Sequence, residues 1–217
     1  MDETTSRTQR TPAEPSVSAA FVGLRAPGAL IAVAGGIHVF AVLVTIALWY
    51  ARYGTSLDEF RRMVSELRYE LTLYGFLTWV VVGAAFGLAA KRFRLVAGGR
   101  SAAVTTRGAA IVAAGYVVLR YLVVAPASAG HMTRILLNVA VGCTYVAVGL
   151  ACVSLRRRWA WCMIGAGVLG LTMAMASPMT SRPLLFVVLL FVRSAVILVT
   201  GILMCRDRLP GRLVISR

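Results

Sequence analysis

Six apolar runs separated by short polar stretches set the rhythm of this chain, at residues 28–51, 71–90, 108–125, 132–155, 159–177 and 184–205. Most approach the roughly 20 residues that an α-helix needs to cross a bilayer core. The pattern predicts an all-α membrane protein with six transmembrane helices. One polar stretch is patterned in its own right. "SLDEFRRMVSELRYE" opens on Ser56 and Glu59 at capping-box spacing, and Leu57, Phe60, Val64, Leu67 and Leu71 follow at helical intervals. Residues 55–70 therefore read as an amphipathic helix on the outer membrane surface, with docking of a partner membrane protein through 56–70 as the other reading.

The runs repeat. At a shift of 52 residues Gly115 maps to Gly167, Pro126 to Pro178, Gly149 to Gly201 and Arg156 to Arg208 without a gap. "GALIAVAGG" at 28–36 resembles "GAAIVAAGY" at 108–116, and Gly87-Leu88 resembles Gly149-Leu150. The spans thus read as three hairpin repeats, the first lengthened by the amphipathic insertion. Small residues along such helices let backbones approach closely.

Composition agrees with this class. The 217 residues are 59% hydrophobic and 14% charged, with a mean hydropathy of +0.80, whereas soluble domains run nearer half apolar and a quarter charged. A net charge of +15 would suggest nucleic acid in a soluble protein. Here the cations cluster between apolar runs, which is how topology is signalled, so no nucleic-acid partner is expected. With the N-terminus inside, fifteen Lys and Arg fall on the cytoplasmic side and six outside, which places both termini in the cytoplasm of a bacterial plasma membrane. Residues 1–24 read as a disordered cytoplasmic tail without a signal-peptide pattern, 25–208 as the membrane domain and 209–217 as a second cytoplasmic tail.

The unit "RRRWAWCMIGAGVLGLTMAMASPMTSRPLLFVVLLFVRSAVILVTGILM" resembles the hairpin repeat of the HdeD family of small six-span bacterial membrane proteins. The shared features are a tryptophan after basic residues, a mid-helix glycine, a proline at the turn and a returning helix ending in a small residue plus an aliphatic one. The resemblance covers roughly residues 108–208 and implies a stress-associated, non-enzymatic role. It transfers no catalytic residue.

Chemistry-bearing groups are few. No acid falls within a span, and only Glu70 comes near one, at the outer mouth of the second. Proton- and cation-coupled transporters place carboxylates at membrane depth, so that class is disfavoured. No catalytic, metal-binding or cofactor motif is present, and Cys143, Cys152, Cys162 and Cys205 read as free thiols. The polar residues in spans are His38, Arg120, Asn138 and Arg193, with Arg134 near the outer face.

Arg193 stands near mid-bilayer. It costs roughly 2.5–3.5 kcal/mol to insert, which the surrounding Leu, Val, Ile and Phe offset at roughly 0.3–0.6 kcal/mol each. It is expected to face the bundle interior, with Asn138 within reach, and to be relieved by neutral groups, by Glu70 or by an anion. Two functions follow. One is a non-enzymatic scaffold or accessory subunit of a membrane assembly. The other is a small transporter or channel for an anionic or lipid-linked solute, bound by Arg193, Arg120 and Arg134. Homo-oligomerisation stays open under both.

Overall fold

The computed structural model describes residues 21–53, 68–123, 131–176 and 183–211. Six helices form the body: α1 (Arg25–Tyr53), α2 (Arg68–Phe93), α3 (Arg100–Val117), α4 (His131–Val153), α5 (Arg158–Ala176) and α6 (Pro183–Arg206). A six-residue π-helix, Val118–Val123, continues α3. Each helix holds a stretch long and apolar enough to span a membrane, and the chain is an all-α, multi-pass integral membrane protein. The amphipathic segment falls almost wholly outside the described residues, as do Pro126 and Pro178.

Packing runs around a ring. Each helix packs chiefly against its two chain neighbours, and α6 closes on α1. The most extensive contacts are α1 with α6, α4 with α5, and α2 with α3. All three pairs meet at the arginine-rich end of the bundle, called the basic end below. The closest packing therefore lies between the hairpins that the sequence marks, not within them.

Glycines explain two of these seams. A Cβ on Gly201 of α6 would stand 2.6 Å from Ala32 Cα and 2.6 Å from the Gly28 carbonyl oxygen of α1. A Cβ on Gly149 of α4 would stand 2.9 Å from the Ala160 carbonyl oxygen and 2.9 Å from Ile164 N of α5. Gly149 and Gly201 are 52 residues apart and play the same packing part. The α2–α3 seam departs from them: Gly87 has open space, and it is Gly83 that faces Ala113, at an ordinary 3.5 Å.

Helix α3 begins at Arg100, eight residues earlier than the hydropathy pattern places its span. The turn before it is built on Gly98, whose φ of 71° suits glycine. Gly99 caps the helix, and Ala103 N–H donates to its carbonyl at 2.9 Å. Arg100, Ser101, Thr105 and Arg107 make the first two turns look like a loop, yet Ala102, Ala103 and Thr106 are buried on their inner face.

The tails are also shorter than their composition suggests. Phe21–Gly23 forms strand β1 and pairs antiparallel with β2, Arg208–Pro210, in the register Val22 to Leu209. Val96 in the α2–α3 turn bridges to Gly211, and Ala97 N–H donates to the Pro210 carbonyl at 3.2 Å. Val22, Leu24, Val96 and Leu209 are buried beneath this clasp, and that burial orders segments expected to be tail. Beside it Asp207 accepts a hydrogen bond from Trp159 Nε1 at 2.7 Å and pairs with Arg157 at 3.1 Å. Trp159 in turn stacks on Phe93 at 6.0 Å. The clasp ties both ends of the described chain to the first turn at the basic end.

Candidate functional site

Arg193 lies ten residues into α6, about 15 Å along it at 1.5 Å per residue. Its guanidinium carbon stands 5.9 Å from the ring centroid of Tyr145 on α4, itself fully buried. On the α5 side the chain makes room. A Cβ on Gly170 would lie 3.2 Å from both Cζ and Nε of Arg193 and 3.4 Å from one terminal nitrogen. Its charge also acts on His38 of α1 and Tyr116 of α3. The head group thus reaches into the bundle from α6, as the cost of exposing it to lipid demands.

Its bonding is incomplete. The residue keeps some exposed surface, but Nε is fully enclosed and has no hydrogen-bond partner. Thr106 Oγ1 and Arg157 Nε share that condition. Only Arg193 meets it in the middle of a helix rather than toward the basic end. By contrast, the buried hydroxyls of Thr45, Ser194 and Thr200 each donate to the carbonyl four residues back. Contact with Tyr145 stabilises a desolvated cation by about 2 kcal/mol. That falls short of the roughly 2.5–3.5 kcal/mol insertion cost, and an unmet charged donor adds to the deficit.

A second group forms around Tyr116, near the end of α3. Its hydroxyl donates to Asn138 Oδ1 of α4 across a long 3.4 Å. The Arg120 guanidinium and the Tyr121 hydroxyl, both on the π-helix, interact with the same oxygen. Arg120 also stands 5.9 Å from the Tyr121 ring. Aromatic contacts then run without a break. Phe76 meets Tyr121 at 5.6 Å and Tyr121 meets Tyr116 at 6.2 Å. Trp79 meets Tyr116 at 5.0 Å and Tyr145 at 6.1 Å. The two arginines sit on one aromatic network, and both charges act on Tyr116.

The sequence-marked residues are therefore only partly brought together. Arg193 and His38 share the interior, and Arg120 joins them through Tyr116. Asn138 is exposed and bonded to Tyr116; no hydrogen bond links it to Arg193. The reason is placement, because Tyr116 stands between α4 and the guanidinium's charge. Glu70 and Arg134 lie in the first turns of α2 and α4, with their side chains outside the described residues. Tyr116, Tyr121, Tyr145, Trp79 and Gly170 were not among the residues singled out from the sequence. A buried tyrosine needs a partner for its hydroxyl, and that was the available signal for Tyr116.

No family model, curated protein or solved structure matches this chain.

Proposed function

We propose that the chain is a non-enzymatic, multi-pass protein of a bacterial plasma membrane whose interior arginine holds an anionic group of a lipid or solute. The observation that carries this is the enclosed, unpartnered Nε of Arg193, set at mid-helix over Tyr145 with Gly170 clearing the space. Among the described residues, the one carboxylate with a placed side chain is Asp207, and it is engaged by Arg157 and Trp159 at the basic end. An anion from outside the chain meets the need that the chain does not.

The test is retention of an anion through purification in mild detergent, read by native mass spectrometry. Wild-type protein is expected to carry an anionic adduct, and Arg193→Leu to fold as well or better and to carry none, as apolar replacement of buried ionic groups can be neutral or stabilising. An Arg193→Leu protein with the same adduct ends the proposal.

A second reading, a scaffold or accessory subunit of the HdeD-like, stress-associated kind, is favoured by the Tyr145 contact, which stabilises Arg193 in part without any ligand. It expects no adduct on either protein and unchanged partner recovery from Arg193→Leu cells. The seam contacts shared by Gly149 and Gly201 support three hairpin repeats as the frame of both readings.

Both readings place the basic end in the cytoplasm. Single cysteines put into a cysteine-free background at Ala51 and at Leu95, both exposed, should label from opposite sides. Labelling of both from the periplasmic side would overturn this orientation.

A further inference from the structure

The weakest seam of the ring and its second arginine coincide. Of the six neighbouring helix pairs, α3 and α4 pack least extensively. At that seam α3 passes into the π-helix, a helical form that is rare and often marks functional positions. Arg120 and Tyr121 ride on it. Tyr116 and Asn138 bridge the gap by a single long hydrogen bond, and Asn138 is exposed on its outer side. Leu119 and Leu136 expose 47% and 64% of their surfaces beside it, so the mouth of the seam is apolar and open to acyl chains.

Within the seam the charges are unbalanced. Arg120 and Arg193 both act on the Tyr116 hydroxyl, and no placed carboxylate among the described residues stands with them. Two cations in an apolar setting call for a dianion. A phosphate monoester carries about −1.5 to −2 at neutral pH, whereas a phosphodiester carries about −1. Guanidinium forks match phosphate oxygens, and tyrosine hydroxyls donate to those left over.

We infer that Arg120 and Arg193 together hold the phosphate of a phosphomonoester, received between α3 and α4 with Tyr116 and Tyr121 as neutral donors. The inference rests on the anion-binding reading of Arg193 and adds a second cation, a ligand class and a route. The same phosphate chemistry is offered by a lipid with a monoester headgroup and by a free phosphate.

The experiment titrates the purified full chain in neutral detergent with phosphatidic acid, phosphatidylglycerol and inorganic phosphate, reading occupancy by native mass spectrometry and stability by thermal unfolding. Phosphatidic acid should bind at least about tenfold tighter than phosphatidylglycerol, whose phosphate is a diester. Arg120→Leu and Arg193→Leu should each weaken it about tenfold or more, with Arg94→Leu at the basic end unchanged. Arg120→Gln serves if Arg120→Leu does not fold. Displacement by inorganic phosphate at equal concentration assigns the site to a free phosphate; resistance to a large excess assigns it to the lipid, and either upholds the phosphate site. Equal binding of the two lipids overturns the monoester. Full binding by folded Arg120→Leu and Arg120→Gln, with loss in Arg193→Leu, overturns the shared site and leaves the single-arginine reading standing. Full binding by all variants removes both.

Discussion

Replacement of Gly201 by valine is expected to open the ring between α1 and α6 and to abolish the native fold. Even a single methyl group there would lie 2.6 Å from Ala32 Cα and from the Gly28 carbonyl oxygen. These are backbone atoms of a packed helix and cannot swing aside as the end of a side chain can. Overpacking usually costs about 1–3 kcal/mol, and here the two helix axes must separate, so a loss of about 3 kcal/mol or more is expected. Gly36→Ala is the control, because its Cβ would meet nothing within 4 Å and a glycine-to-alanine change in a helix stabilises by roughly 0.5–1 kcal/mol. Thermal unfolding in detergent reads both. A Gly201→Val protein that unfolds with the wild-type midpoint would show that the α1–α6 seam is not closed as described.

Gly201 also shows how far the sequence carries the fold. Its importance follows from pattern alone, since it stands 52 residues after Gly149 at the end of an equivalent apolar run. Span number and helical class follow from hydropathy, a local property. Seam partners do not, because Gly201 meets Gly28 and Ala32 from the opposite end of the chain. The start of α3 was hidden for a related reason. Arg100 to Arg107 is polar on average, and only the bundle decides that Ala102, Ala103 and Thr106 face inward. The clasp strands are three residues each, too short for an alternating pattern to register. The Trp159–Asp207 hydrogen bond spans 48 positions that no periodicity links.

At the site the division is similar. Arg193 and Arg120 declare themselves by the cost of a cation in a span. That Tyr116 lies under the influence of both is a tertiary fact. Gly170 was the harder residue to see, yet the repeat contains a trace of it. Fifty-two positions before Arg193 stands Val141, and fifty-two before Gly170 stands Val118. Two valines in one hairpin thus correspond to an arginine and a glycine in the next. The volume that glycine gives up is where the guanidinium now lies.

That exchange yields a substitution expected to separate binding from folding. In Gly170→Val the new side chain would press on Cζ and Nε of Arg193, 3.2 Å from where its Cβ must go. The obstructing atoms are the far end of a flexible side chain, so the arginine moves and the helices stay. The folding cost should be about 1 kcal/mol, reduced by the few tenths that valine gains over glycine in a helix. The guanidinium, however, leaves the face of Tyr145 and the position from which it acts on Tyr116. Retention of the anionic adduct should fall about tenfold or more while the thermal midpoint changes little. Gly165→Val on the same helix, where a Cβ meets nothing within 4 Å, should retain both. If Gly170→Val holds the adduct as tightly as wild type, the pocket over Gly170 is not what positions Arg193 for an anion. If instead it unfolds like Gly201→Val, Gly170 is a seam residue, and the space beside it belongs to helix packing alone.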